Sequence, residues 1–478
     1  MRRRRMCLAV VATLALGGAS APAHAQSTGN AVTDWNAIAA TAAAGQPPHV
    51  QPLRLAMVHG AVYDAVNAID GGHRPYLAAP AADPSDSEQA AAATAAFGVL
   101  VGLFPAQQST LQPRYDASLA TVPDGPAKSG GIAAGQAAAA TMLAARANDG
   151  RGGPFSFVFG TTPGAWRPAP PNFGLDPAPW VANVRPFIVP TKEMLRTDGP
   201  NALASDAYAT DFNEVKELGS LTSTSRTADQ TAAAIFWQDS GISIWNRVFR
   251  ALAESEQLDG VESARLLAMT NLAGADGSIG CWNDKYYWNF WRPITAIREA
   301  GSDGNPATEA DPAWLPLFNP TIPISGPPLV TPGFPDHPSG HTCISGAFVH
   351  ALQGFFGTDK IAFTAISNKC SPAPCPPRSF DRFSEALKEI IGARVWSGIH
   401  FRTADVQGAV LGKKVARYLR EHFQVQAPTG QGAVQAPTGQ RAVPPSTGRR
   451  AAALKKCKKK KSKKKRMRCR DKVANLPV

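Results

Sequence analysis

Apolar positions along the chain recur at three- and four-residue spacing, and the strict alternation of a half-buried strand is rare. Residues 31–71 are Ala-rich, and Leu53, Met57, Val58, Ala61, Val62 and Val66 fall on a helical repeat. Residues 86–104 and 126–148 are further Ala-rich helix candidates. Helical spacing resumes over 203–219, 227–239, 243–257 and 260–273, and again over about 283–299. A helix is expected from about Ser339 to Phe356. Phe380, Phe383, Leu387, Ile390 and Ile391 mark the apolar face of another, and a last one covers about Val406 to Phe423. The pattern predicts an all-α fold, a helical bundle.

Two stretches interrupt it. Residues 151–190 contain nine prolines and residues 306–338 contain ten. Proline removes a backbone donor and blocks the helix interior, so both read as long proline-rich loops. The second leads directly into the sequence HPSGHT.

The ends differ from the body. Arg2 to Arg5 precede an apolar run from Cys7 to about Ala19, and Ala23-His24-Ala25 offers a small-residue cleavage site. The run is short for a membrane span, which needs roughly 20 residues. Residues 1–25 therefore read as a signal peptide, and the protein is expected to be secreted and soluble. The catalytic domain is expected over 26–424. QAPTGQGAV at 426–434 repeats as QAPTGQRAV at 435–443, which makes 425–454 a Pro/Gly/Thr-rich linker. Residues 455–478 form a Lys/Arg-rich tail expected to be disordered. Such a tail is either simply solvated or attaches to an anionic cell surface.

Charge follows the same division. The net charge is +13, but residues 449–478 carry 15 Lys or Arg and one acid, and the first five residues carry four arginines. Without the two ends the body is mildly acidic, which argues against nucleic acid binding by the catalytic domain. Six of the seven cysteines lie beyond the signal. Cys370 and Cys375 bracket a Pro-rich loop and suit a disulfide, Cys457 and Cys469 could pair in the tail, and Cys281 and Cys343 lie beside the motifs below.

Three segments carry chemistry. In KYYWNFWRP, Lys285 and Arg292 are seven apart, within about 20° of one helix face, so two cations could meet one anion. In PSGH, Ser339 suits an N-cap and Gly340 permits close backbone approach, so the helix start can bind an anion. His341 sits in its first turn, placed to move a proton. In RVWSGIHFRTAD, Arg394 and His400 would not share a face of one helix. Gly398 is expected to break the helix and re-aim His400, and Asp405 to hold the second ring nitrogen of His400. Together these residues describe a pocket for a tetrahedral oxyanion.

The order Lys-x6-Arg-Pro, Pro-Ser-Gly-His, Arg-x5-His resembles the signature shared by vanadium-dependent haloperoxidases and type 2 phosphatidic acid phosphatases. WNFWRPITAIR and GIHFRTAD look especially like the bacterial haloperoxidase-like proteins. The resemblance is sharp over about 281–412 and general over 30–280. It implies a helical bundle of the vanadium haloperoxidase/acid phosphatase type. It implies that Lys285, Arg292 and Arg394 bind the oxygens of vanadate, or of phosphate in the same site, with help from Ser339 and the Gly340 amide. His400 would be the apical vanadium ligand, or the nucleophile of a phosphatase, and His341 the acid–base group. Phe334 matches a position near the halide. Two departures stand out: Ala393 replaces a common serine, and Ala404 stands where the phosphatases place aspartate, with Asp405 next.

The implied reaction is a vanadate-dependent oxidation of a halide or small organic substrate by hydrogen peroxide. A secreted acid phosphatase using a phosphohistidine is the first alternative, and a non-catalytic cell-surface binding protein the second. His24, His49, His59, His73 and His422 have no comparable context. His337 and His350 are near the motif by sequence only. Large helical surfaces make a homodimer plausible.

Overall fold

The computed structural model describes residues 30–422. The expected signal peptide, linker and basic tail, with Cys457 and Cys469, lie outside the described residues. Among the described residues there are thirteen α-helices and one two-stranded sheet. No helix there is long and apolar enough to cross a membrane.

The first five helices are α1 (Ala31–Ala43), α2 (Gln51–Asp70), α3 (Glu88–Leu103), α4 (Gln108–Ala120) and α5 (Pro126–Ala145). The Ala-rich stretch 31–71 is thus two helices, parted where Gly45 and the pair Pro47-Pro48 break the repeat. Helix α4 was not visible as a pattern. Only Leu111 is buried on it, so it carries no apolar stripe. Helix α2 is buried along nearly its whole length, from Gln51 to Ile69, which identifies it as a central helix.

Next come α6 (Asp206–Leu218), α7 (Ala228–Phe236), α8 (Gly241–Ser255), α9 (Gly260–Trp288) and α10 (Pro293–Arg298). The separate helices expected at 260–273 and 283–299 are not found. Instead α9 runs unbroken for 29 residues and ends at Asn289, in the left-handed region at φ 49°. Glycines 274, 277 and 280 suggest a break in the sequence, but they are buried packing positions. A methyl at Gly277 would sit 3.0 Å from the Cys343 carbonyl.

The chain closes with α11 (Gly340–Phe356), the short strands β1 (Phe363–Ala365) and β2 (Arg378–Phe380), α12 (Phe383–Trp396) and α13 (Arg402–His422). The strands pair antiparallel, with Phe363 opposite Phe380. The intervening loop is closed by the expected Cys370–Cys375 disulfide. Cys281 and Cys343 are buried neighbours but free thiols.

Helices α11 and α13 pack almost backbone to backbone. A methyl at Gly412 would lie 2.6 Å from the Cys343 carbonyl and run into the Ala347 amide. Gly408 faces the Ser339 carbonyl in the same way. This contact fixes the start of α11, where the anion motif lies. Gly412→Ala gains helix propensity worth up to about 1 kcal/mol but must separate two backbones, an overpacking cost of roughly 1–3 kcal/mol. Its thermal unfolding midpoint is expected to fall. An unchanged or raised midpoint would refute the close contact.

Candidate active site

Lys285 lies in the last turn of α9, but the chain turns at Asn289, and Arg292 is extended at the N-cap of α10. The two cations therefore do not share one helix face, contrary to the seven-residue reading. They converge through the turn instead. Lys285 Nζ is 5.1 Å and Arg292 Cζ 5.0 Å from the centroid of the Phe334 ring.

Lys285 is fully buried, and its ammonium donates to the carbonyls of Pro335 (2.9 Å), Asp336 (3.0 Å) and Pro338. It straps the loop that carries the PSGH motif, and it acts on an anion through charge and not through a spare N–H. Arg292 donates from Nε to Phe334 O and from Nη1 to Ile399 O, while its Nη2 is buried without a partner.

Ser339 is the N-cap of α11, as its sequence suggested, but its side chain makes no capping bond. Its amide donates to Ala404 O (2.9 Å), tying the starts of α11 and α13 together. The first-turn amides, beginning with Gly340, remain as donors at the positive helix end. His341 Nε2 is likewise buried without a partner. Arg394, near the end of α12, donates from Nη1 to Gln238 (2.9 Å) and leaves Nε unpaired. Gly398 adopts φ 76° just past α12, the expected break, and turns His400 into the site.

The orienting role expected of Asp405 is not found. His400 Nδ1 lies 2.8 Å from Asp336 Oδ1, and His400 Nε2 is 3.2 Å from Arg292 Nη1. Asp405 instead lies near Arg394 and offsets its charge. The reason is geometric. Asp405 sits one turn into α13, whereas Asp336 is held beneath the imidazole by its amide bond to Phe290 O (2.8 Å) and by the Lys285 strap.

Burial dominates the electrostatics. It pushes Lys285 down to about 8 and Arg292 and Arg394 to about 10, and raises Asp336 to about 7. Burial, then Arg394, holds His341 well below its ordinary value. Burial, then Arg292, Lys285 and Arg394, does the same to His400. Both imidazoles are therefore neutral near pH 7, one able to take a proton and the other to offer a lone pair. Unpaired buried donors on Arg292 and Arg394, with the unpaired Nε2 of His341, set around a helix N-terminus, are costly unless something satisfies them. A tetrahedral oxyanion such as vanadate or phosphate fits that requirement.

A consequence concerns pH. An anion favours protonated Lys285, so affinity is complete below about 8 and falls as the ammonium deprotonates above it. Between pH 7 and 9, phosphate affinity of the wild type is expected to fall more steeply than that of Lys285→Met. Comparing the two by calorimetry cancels the titration of phosphate itself. Parallel slopes would show that Lys285 does not contribute its charge.

Above this cradle lies a cavity of about 350 Å³, lined by His341, Arg394 and His400 below and by apolar side chains such as Ile242, Phe318 and Phe334. His49 and Trp282 also line it. The sequence reading gave no role to Asp336, His49, Asp176, Trp282 or Gln238. Asp336 lies three residues before Ser339, inside a segment read only as proline-rich. The others come from separate elements, and no spacing rule joins them.

The fold and cradle define a class: a helical bundle with a buried, cation-rich pocket whose cradle is built from the C-terminal half of the chain. Residues 265–427 match the model of the VCPO second helical-bundle domain. The vanadium chloroperoxidase of Curvularia inaequalis is 30% identical over 152 residues, covering 28% of this chain and 24% of that protein. The match thus spans about a quarter of that relative's length. The crystal structure of a bacterial vanadium-dependent iodoperoxidase superposes with a TM-score of 0.69 at 23% identity, over 84% of this chain and 97% of that one. A holo-type bacterial vanadium-dependent chloroperoxidase gives 0.59 at 17% identity, over 79% and 93%. The described chain thus has the fold of these vanadium-dependent haloperoxidases, and residues 265–427 are similar in sequence to the second helical-bundle domain of that family.

Proposed function

We propose that this protein is a vanadate-dependent peroxidase that oxidises halides or related nucleophiles with hydrogen peroxide. The observation carrying this reading is the set of buried, unpaired donors on Arg292 and Arg394 and the unpaired His341 Nε2, facing His400 at the start of α11. Arg292, Arg394 and the Gly340 amide would hold the oxygens of vanadate, with Lys285 adding charge. His400 would offer a ring nitrogen, its other nitrogen steadied by Asp336. When bound, vanadate supplies a Lewis-acidic centre that activates hydrogen peroxide without changing oxidation state. His341 Nε2, neutral and unpaired, takes a proton from the incoming peroxide. The apolar cavity walls limit water near the reacting atoms.

Metal analysis of the full chain after vanadate loading, with halide-oxidation and phosphomonoesterase assays on one sample, tests the reading. One vanadium per chain and peroxide-dependent halide oxidation are expected. Phosphomonoester hydrolysis without retained vanadium would replace it with the phosphohistidine mechanism.

We also infer that residues 1–25 direct export and that the basic tail holds the exported protein to anionic surfaces. Deleting 449–478 should weaken retention on anionic vesicles at low salt and leave catalysis unchanged. Equal retention of both forms would remove the anchoring role.

A further inference from the structure

Asp336 meets His400 Nδ1 with its Oδ1 (2.8 Å), and it also lines a second, much smaller void of about 10 Å³. Polar groups from separate parts of the chain reach this void. Tyr208 comes from the first turn of α6, Asp336 and His337 from the second proline-rich loop, Asn201 from the chain before α6 and Thr403 from the start of α13. Phe290 and Phe401 complete the wall and pack against the Tyr208 ring, with centroids 6.3 and 5.7 Å away.

Three of the polar atoms are buried and lack a partner: Tyr208 Oη, Asp336 Oδ2 and His337 Nδ1. The three residues are at most 1% exposed. Asn201 and Thr403 differ, because they are already bonded to each other and to Asp211. Asn201 Nδ2 donates to Thr403 Oγ1 (2.8 Å) and Asp211 Oδ2 (3.3 Å), and the Thr403 amide donates to Asp211 Oδ2 (3.0 Å).

The proton balance of the three unpaired atoms follows from their neighbours. The Thr197 hydroxyl donates to Asp284 Oδ2 (2.6 Å), so towards His337 Nε2, 3.1 Å away, its oxygen can only accept. The His337 proton is therefore on Nε2, and Nδ1 offers a lone pair. The carboxylate oxygen of Asp336 also accepts. Tyr208 supplies the donor, since the indole N–H of Trp291 beside it is itself only a donor and cannot take the hydroxyl proton. The void thus presents one donor and two acceptors. A single water matches this set, and it needs roughly 10–15 Å³ of void. An anion has no proton for Asp336 or His337.

We propose that one structural water binds here, accepting from Tyr208 Oη and donating to Asp336 Oδ2 and His337 Nδ1, and that Tyr208 acts through it as a positioning residue for His400. Buried waters make about three such bonds. The terminal torsion of an aspartate is soft, so a contact at Oδ1 alone leaves the carboxylate free to swing. A second bond at Oδ2 fixes its plane and keeps Oδ1 towards the imidazole. The His400 proton then stays on Nδ1, and Nε2 keeps its lone pair for the anion site. The water site stands independently of the peroxidase reading, whereas its effect on vanadate rests on that reading.

The test uses the full chain without vanadate. A high-resolution crystal structure is expected to show one fully occupied water within about 3.2 Å of Tyr208 Oη, Asp336 Oδ2 and His337 Nδ1. Tyr208→Phe keeps the ring and removes the hydroxyl. Its water should lose occupancy, and its nitrogen NMR spectrum should show both tautomers of His400 where the wild type shows one. Vanadate affinity of the variant should fall by roughly three- to tenfold, the value of one hydrogen bond, with phosphate affinity unchanged. Lost packing alone would lower the thermal midpoint and leave the tautomer as it was. A wild type without this water, or a single unchanged tautomer in Tyr208→Phe, would overturn the proposal. If the variant does not fold, the wild-type density decides. If the water and the tautomer change are present but vanadate does not bind, the water site stands and the peroxidase reading falls.

Discussion

His400→Ala is expected to lose vanadate affinity by roughly a hundredfold or more, beyond the 10–100-fold typical of losing an outer-shell partner of a metal ligand. Phosphate affinity should fall far less, because Arg292, Arg394 and the α11 amides still hold the oxygens. The ratio of the two affinities therefore isolates a nitrogen–vanadium bond from general anion attraction. His341→Ala should show the opposite balance. Its vanadate affinity is largely kept, while peroxide-dependent turnover falls by roughly a hundredfold or more, as for a lost acid–base group. Equilibrium binding and turnover would be measured on both variants. If both bind vanadate and turn over like the wild type, the two histidines have been misassigned.

Asp336→Asn is expected to reduce vanadate affinity by roughly 10–100-fold through the orientation of His400. A merely structural role would not change which imidazole nitrogen carries the proton, so the decisive readout is the nitrogen NMR spectrum of His400. In the wild type the proton should reside on Nδ1, facing Asp336, leaving Nε2 with a lone pair. Asp336→Asn should mix the two tautomers. Asp405→Asn should leave the tautomer alone and act instead through the charge of Arg394. A tautomer that responds to Asp405 and not to Asp336 would restore the arrangement expected from sequence.

The contrast between these carboxylates shows where sequence reasoning held. Helices with an apolar stripe, such as α8 with Ile242, Trp245, Val248, Phe249 and Leu252, were legible because a 3.6-residue period is written directly in the chain. The PSGH helix start and the Gly398 break were legible because each depends on local backbone chemistry. Helix α4 has no stripe, and buried glycines in α9 look like breaks, so both were misread. Asp405 was chosen as the near carboxylate in sequence, whereas Asp336 is brought to His400 by tertiary bonds to Phe290 and Lys285. His49 and Asp176 lie 127 positions apart and meet where α9 presents Trp282 to both and Tyr286 to Asp176.

The strap formed by Lys285 also bears on the thermodynamics of ligand capture. Because the ammonium already grips the carbonyls of Pro335, Asp336 and Pro338, the PSGH segment is ordered before any anion arrives. Capture then carries little conformational entropy loss and little change in heat capacity, since no loop folds and little apolar surface is newly covered. Association should follow a single fast phase limited by entry into the cavity, without the slow second phase of a loop that closes afterwards. The amide hydrogens of Asp336 and Ser339, bonded to the Phe290 and Ala404 carbonyls, should exchange at similarly slow rates with and without phosphate.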